Sequence, residues 1–166
     1  EVSSTEEAQE STTSQSPAEV PKPAILRQEP LTELRVFISH GKNMELVEQV
    51  ETMLSLADIK SEIAVKEESP AIPVPDKVFN SMKKCHAAII VVAVEEARKD
   101  KNEQYAINEN VLIEIGAAFV LYDKRVVLLW DRRLPVPSNL QGLYRCEFEG
   151  DDLNWGAGMK LMKAIK

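Results

Sequence analysis

Two runs of consecutive apolar residues constrain the fold of this chain more than any other feature. They are HAAIIVVAV, residues 86–94, and RVVLLW, residues 125–130. Runs without the polar alternation of a half-exposed strand are typical of parallel sheets that are covered on both faces. Shorter β-type runs at residues 34–39, 61–67 and 144–150 predict further strands, the last of them at an edge of the sheet.

Segments of helical length separate these runs, at residues 44–59, 75–85, 106–122 and 151–166. Asn43 is a candidate N-cap for the first of them, and Pro75 suits the first turn of the second. Strands that alternate with helices predict an α/β domain with a parallel sheet, right-handed crossovers and helices on both faces. Ligands of such sheets bind at the loops that follow the carboxyl ends of the strands.

The first 33 residues have a different composition from the rest of the chain. They are rich in Ser, Thr, Glu and Pro, and they carry seven acidic residues against two basic ones, a net charge of −5 out of −7. We expect residues 1–33 to be a disordered acidic tether and residues 34–166 to form one domain. The remaining net charge of −2 supplies no basic stripe, so we expect no nucleic-acid partner.

The sequence predicts neither a membrane span nor a signal peptide, because it lacks an apolar run of about 18 residues and a basic leader. We therefore expect a cytoplasmic protein in which Cys85 and Cys146 are reduced thiols. His40 and His86 are not spaced as ligands, so we expect no metal. We also expect no cofactor. Because the chain begins with Glu and ends within a helical pattern, we interpret it as part of a longer protein with a domain upstream.

A single carboxylate, Glu114, lies within the otherwise apolar helical segment at 106–122. Glutamate is seldom buried without a partner. It is either solvated near the helix N-terminus, paired with a Lys or Arg, or placed at the lip of an apolar cleft where it engages a ligand. Helical spacing joins Asn110 and Glu114 in one polar patch. Since the other faces are apolar, we expect this helix to be enclosed by the structure.

These segments together resemble the TIR-like domains of predicted nucleotide-binding proteins from bacteria, which are relatives of the Toll/interleukin-receptor domains that cleave NAD. The resemblance rests on RVFISHG, a proline-bearing loop, AIIVVAVEE, NVLIEIGAAF, KRVVLLW and VPSNLQGL. It extends from about Leu34 to Lys166, and Asn-x-x-x-Glu-x-Gly at 110–116 is its most specific part. It implies a flavodoxin-like parallel sheet of about five strands.

The resemblance also implies which residues form the site. Glu114 matches the glutamate that hydrolyses the bond between nicotinamide and ribose, and Asn110 matches an asparagine one turn earlier. The residues that match the nucleotide cleft, and the loop that closes over it or contacts a neighbouring subunit, are Phe37, Ser39, His40, Gly41, Glu68 and Pro70. NAD is then a substrate rather than a cofactor.

Ordinary structural roles remain open for several of these positions. Asn110 also suits helix capping or packing, His40 and Gly41 suit a turn, and Phe37 suits the core. Gly116 is interpreted as a site of close packing. The chemistry itself requires one carboxylate, because nicotinamide leaves a cationic pyridinium as a neutral molecule and needs no general acid, unlike the leaving groups of ordinary glycosides.

Three functions are consistent with the sequence. The first is an NAD glycohydrolase that acts as the effector of an antiphage or stress-signalling protein, with a sensor upstream. The second is a nucleoside or nucleotide N-glycosidase in the manner of deoxyribosyltransferases, with Glu114 as nucleophile. The third is a non-enzymatic module that self-associates through TIR-like contacts, with the loop at Pro70–Pro75 as one contact surface.

Overall fold

The computed structural model describes residues 33–64, 74–99, 101, 102 and 104–165. Its strands are β1 (Arg35–Ser39), β2 (Lys60–Ile63), β3 (Ala87–Val92), β4 (Val126–Asp131) and β5 (Arg145–Phe148). Its α-helices are α1 (Met44–Leu56), α2 (Val74–Lys83), α3 (Glu109–Tyr122) and α4 (Trp155–Ile165). Apart from Glu33, the predicted tether lies outside the described residues, and so do Glu68 and Pro70.

The five strands form one parallel sheet in the order β2-β1-β3-β4-β5. This is the order of flavodoxin-like sheets, and it reverses between β1 and β3. In that register Ser39 pairs with Ile90, and Val92 pairs with Trp130. The predicted flavodoxin-like parallel sheet is confirmed, with β5 as the expected edge strand. Ligand sites of such sheets lie where the order reverses, which here is the carboxyl end of β1.

Helices cover both faces of the sheet and enclose two hydrophobic cores. Helices α2 and α3 pack on one face against Phe37 and the other strand residues that point the same way. Helices α1 and α4 pack on the opposite face against Val36 and Ile38. The two-residue period of β1 therefore directs Phe37 and Ser39 towards α3. The buried thiols of Cys85 and Cys146 lie in different cores.

Local residues explain where the helices begin and end. The Asn43 side chain accepts a hydrogen bond from the Leu46 N–H at 3.2 Å and caps α1, as predicted. Helix α1 ends at Leu56, three residues earlier than predicted, and Asp58 then adopts a φ of 56° that no α-helix contains. Pro75 occupies the first turn of α2, also as predicted.

Helix α3 begins later and is more exposed than the sequence suggested. Asn108 is its N-cap, so the helix starts at Glu109 rather than at residue 106. The prediction that the structure encloses this helix is wrong, because Ile113 is 61% exposed and Val120 is 87% exposed. One side of α3 packs on the sheet and on α2, whereas these side chains point outward. Apolar residues on every face cannot distinguish an enclosed helix from one with an open side.

Within the described ranges, no helix combines the length and the apolar character that crossing a membrane would require.

Candidate functional site

The site is built around a contact between the end of β1 and the second turn of α3. Ser39, the fully buried last residue of β1, donates a hydrogen bond from Oγ to Oε2 of Glu114. Glu114 is 7% exposed, so its carboxylate is not a solvated group near a helix terminus. The structure therefore brings together two of the residues that the sequence singled out, at the point where the strand order reverses.

The loop after β1 places His40 and Gly41 directly beside this contact. His40 is buried, and its Nδ1 lies 2.7 Å from the carbonyl oxygen of Gly41. A carbonyl oxygen only accepts, so this geometry assigns the ring hydrogen to Nδ1. A Cβ atom at Gly41 would lie 2.7 Å from Oε1 of Glu95, a distance that real Cβ atoms do not tolerate. A side chain at position 41 would therefore have to displace the Glu95 carboxylate.

Glu95, which no pattern in the sequence singled out, connects three segments of the site. It follows β3, and its side chain is 10% exposed. Its Oε1 accepts a hydrogen bond from Nδ2 of Asn108 at 3.1 Å, and its Oε2 accepts one from Nε of Arg98 at 3.3 Å. The available signal was the position of Glu95 directly after a buried strand, at the edge where such sheets bind ligands.

The hydrogen bonds of Glu95 extend to the start of α3. Oδ1 of Asn108 accepts the N–H of Asn110 at 3.0 Å and caps the helix. Nη1 of Arg98 donates to Oε2 of Glu109 at 2.6 Å. The pKa of Glu109 is lowered by a backbone hydrogen bond at the helix N-terminus and by Arg98, and the hydrogen bond with Glu109 raises the pKa of Arg98. Both groups of this exposed pair are therefore charged at neutral pH.

A second buried carboxylate stands at the end of β4. Asp131 is fully buried and accepts two hydrogen bonds from the Arg133 guanidinium, at 3.0 Å and 2.8 Å. The hydrogen bond to Asp131 raises the pKa of Arg133. The Arg133 guanidinium lies 5.6 Å from the ring centre of Tyr105, whose hydroxyl donates to Glu96 at 2.5 Å. Through the contact of Arg133 with Tyr105, this cluster holds the loop before α3 against the end of β4.

An open cleft of about 650 Å³ lies over the carboxyl ends of β1 and β3. Its lining residues are Lys42, Asn43, Met44, Glu45, Val94, Glu95, Glu96 and Asp151. Glu95 thus faces this cleft and also contacts the segments that hold Ser39 and Glu114. The position of the cleft agrees with the expectation that ligands bind at the loops that follow the strands.

The remaining predicted site residues are placed differently. Phe37 is completely buried in the core between the sheet and α2 and α3, which favours a structural role. Asn110 lies on the exposed first turn of α3, one turn before Glu114. Gly116 is exposed, and a Cβ atom there would meet no atom within 4 Å, so it does not serve close packing within the described residues.

No group of three or more His, Cys, Asp and Glu side chains in the described part of the chain is arranged to hold a metal ion.

Comparison with known proteins identifies the family. Residues 35–150 match the family described as CAP12/Pycsar effector protein, TIR domain. The match covers more than half of the 166 residues and includes Ser39, Glu95 and Glu114. No curated protein sequence matches the chain. Together with the parallel sheet in flavodoxin-like order, the family match confirms the resemblance: the chain belongs to the TIR-domain family of CAP12/Pycsar effector proteins.

Proposed function

We propose that this TIR domain is an NAD glycohydrolase with Glu114 as its catalytic carboxylate, and that it is the effector of a cytoplasmic antiphage or stress-signalling protein whose sensor lies upstream. One observation carries the proposal. A buried glutamate of α3 is hydrogen-bonded to Ser39 at the carboxyl end of β1, where flavodoxin-like sheets bind nucleotides. A buried, oriented carboxylate at such a position is a common feature of catalytic sites.

The chemistry requires stabilisation of positive charge on the ribose. As the bond between C1′ and the nicotinamide nitrogen breaks, its electron pair returns to the ring, and nicotinamide leaves as a neutral molecule. Water then adds to C1′ and loses a proton, which gives ADP-ribose. A fixed carboxylate in a water-poor site stabilises the oxocarbenium character that develops on the sugar. The hydrogen bond from Ser39 holds the Glu114 carboxylate in one orientation before substrate binds, so less reorganisation is needed in the transition state.

Other residues are assigned supporting roles in this proposal. His40 and Gly41 form the loop beside Ser39 and are proposed to contact the nucleotide. Asn110, exposed one turn before Glu114, is proposed to contact the ribose. Phe37 supports the site from the core. Glu68 and Pro70, which lie outside the described residues, stay predicted contacts of the nucleotide or of a neighbouring subunit.

A comparison of substrates tests the proposed function against the nucleoside alternative. The clustered wild-type protein is incubated in parallel with NAD and with a set of deoxynucleosides, and the released bases are separated by chromatography. We expect nicotinamide from NAD and no base from the deoxynucleosides. Base release from deoxynucleosides alone would instead support an enzyme of the deoxyribosyltransferase type, with Glu114 as nucleophile.

Self-association is a second candidate property, favoured by the exposed side of α3. Helix α3, which carries Glu114, also exposes the apolar side chains of Leu112, Ile113 and Val120. Exposed apolar patches of this kind mark association surfaces. We propose that copies of this domain contact one another through α3, so that assembly and activity are coupled.

Sedimentation of single variants tests this contact. Val120→Lys is compared with Leu56→Lys, which places the same charge on an equally exposed apolar residue of α1, on the opposite face of the sheet. We expect Val120→Lys to lower the sedimentation coefficient at high protein concentration and Leu56→Lys to leave it unchanged. Equal behaviour of both variants and the wild type would refute a contact through α3.

A further inference from the structure

We propose that Glu95 is a positioning residue that holds Glu114 against Ser39. The inference rests on the proposed function for its catalytic consequence, but its structural part is independent of any substrate. Glu95 lies at the carboxyl end of β3, the strand next to β1, and it is nine-tenths buried. Each of its two carboxylate oxygens has a hydrogen-bond donor from a different segment of the chain.

The first segment is the start of α3. Nδ2 of Asn108 donates to Oε1 of Glu95, and the other side-chain atom of the same amide, Oδ1, accepts the N–H of Asn110. Glu95 thereby fixes the rotamer of the residue that caps α3. Glu114 follows Asn108 by six residues in the same helix, about 9 Å along its axis. Since a helix moves as a rigid unit over that length, a shift of its cap also moves the Glu114 carboxylate.

The second segment is the loop after β1. Oε1 of Glu95 occupies the space in which any side chain at position 41 would stand, so the carboxylate packs directly on the backbone of Gly41. Gly41 follows Ser39 by two residues. The Glu95 carboxylate therefore contacts both the cap of the helix that carries Glu114 and the loop beside Ser39. The hydrogen bond between Ser39 and Glu114 links the same helix and loop a second time.

The third segment is the turn at Glu96–Arg98. Nε of Arg98 donates to Oε2 of Glu95, while its Nη1 donates to Glu109 in the first turn of α3. A carboxylate satisfies both donors at once because it only accepts. A glutamine at position 95 presents one oxygen and one NH₂ group, so it places a donor against either Asn108 or Arg98. Glu95→Gln thus removes one hydrogen bond with almost no change of volume.

The matched control is Glu96→Gln, which neutralises the neighbouring glutamate. Glu96 is exposed, and its carboxylate accepts a hydrogen bond from the Tyr105 hydroxyl rather than from Asn108 or Arg98, the two donors to Glu95. Gly41→Ala is a second test of the same contact, because its added Cβ should push the Glu95 carboxylate from its place and, in the protein without substrate, reproduce the effect of Glu95→Gln. Because Glu95→Gln and Gly41→Ala act on one contact, we expect the fold-loss of kcat in the double variant to be smaller than the product of the two single fold-losses.

Two readouts separate this inference from the proposed function. The first is the ¹³C chemical shift of the Glu114 carboxyl group, measured in the full chain without substrate. We expect Glu95→Gln and Gly41→Ala to change this shift and Glu96→Gln to leave it unchanged. An unchanged shift in Glu95→Gln, in a protein that retains its melting temperature, would overturn the inference, whatever the activity.

The second readout is catalytic and applies when the wild type releases nicotinamide. We expect Glu95→Gln to lower kcat about tenfold with KM within about twofold, because a misplaced carboxylate weakens the transition state more than the bound substrate. A kcat that equals the wild-type value per folded molecule would overturn the positioning role. If the wild type releases no nicotinamide, the proposed function fails, and the chemical shift alone decides the inference.

Discussion

Ser39 donates a hydrogen bond from Oγ to Oε2 of Glu114, although 75 positions separate the two residues in the chain. The parallel sheet creates this contact, because β1 ends beside β3 and α3 returns over the same face. Both side chains are buried, so the hydroxyl replaces hydrogen bonds that the carboxylate would otherwise form with water. The hydrogen bond between Ser39 and Glu114 therefore joins two parts of the fold and also orients the proposed catalytic carboxylate.

Removal of the Ser39 hydroxyl should impair catalysis. We expect Ser39→Ala to lower kcat/KM for NAD about tenfold, because a hydrogen bond to a charged group contributes about 1.5 kcal/mol or more and its loss frees the carboxylate to rotate. Steady-state release of nicotinamide measures the effect. Ser138→Ala, at an exposed serine on the loop before β5, serves as control and should match the wild type. A Ser39→Ala enzyme with wild-type kcat/KM would show that the Ser39 hydroxyl has no role in catalysis.

A glycine in α3 should be replaceable with a gain in stability. Gly116 lies in the helix interior with open space where a Cβ would stand, so Gly116→Ala should raise the free energy of unfolding by about 0.5 to 1 kcal/mol. Urea unfolding measures the change. Gly158→Ala makes the same substitution in α4, where the Cβ would lie 3.0 Å from Cε of Met53, and we expect a smaller gain. A destabilised Gly116→Ala would show that this surface is covered.

The ion pair between the buried Asp131 and the partly exposed Arg133, at the end of β4, should contribute strongly to stability. Arg133→Ala leaves the fully buried Asp131 without its guanidinium partner and should lower the free energy of unfolding by about 2 kcal/mol. Arg132→Ala removes a neighbouring arginine that is 58% exposed and lies 3.8 Å from Glu147, so we expect a change within about 0.5 kcal/mol. Equal effects of the two substitutions in urea unfolding would contradict this assignment.

The buried thiol of Cys85 should make stability depend on pH in the alkaline range. Burial raises its pKa from 9.0 to about 12. Below about pH 9 the thiol is protonated in both the folded and the unfolded state, and its full contribution to the free energy of unfolding is present. Between about pH 9 and 12 the unfolded chain loses this proton before the folded chain does, so the contribution falls as pH rises.

The comparison of wild type with Cys85→Ala isolates that contribution from those of other groups. As pH rises above about 9, we expect the free energy of unfolding of the wild type to fall relative to that of Cys85→Ala. Thiol labelling of the folded wild type should stay slow up to pH 10, since burial also raises the pKa of Cys146. A pH-independent difference combined with fast labelling would show that Cys85 is accessible.

The fold was predictable because its signals are local. The apolar runs of β3 and β4, the Asn43 cap and Pro75 each report on their own segment, and together they leave few alternatives to a parallel sheet. Glu114 stood out for the same reason, as a carboxylate in an apolar segment. Its partner Ser39 came from the family resemblance, because spacing along the chain contains no information about a contact across 75 residues.

The rest of the site depends on tertiary structure that the residue pattern does not encode. Glu95 looked like one of many charges in a polar loop, and only the folded chain brings it to Gly41 and Asn108. The predicted start of α3 is three residues too early because Ala106 and Ile107 continue the apolar pattern. The boundary is decided by a cap in which the Asn108 side chain accepts a hydrogen bond from the Asn110 N–H. Exposure of Val120 likewise depends on which helices share its face of the sheet.

Nicotinamide release from NAD by wild type and Glu114→Gln is the most direct test of the central claim. Both proteins are assayed as clustered preparations whose assembly is verified by sedimentation and whose melting temperatures are compared, with Glu48→Gln as the control at an exposed glutamate of α1. The account predicts release by wild type and Glu48→Gln, and a loss of at least about a hundredfold in Glu114→Gln. Equal release by Glu114→Gln, or none from a clustered wild type, would contradict it.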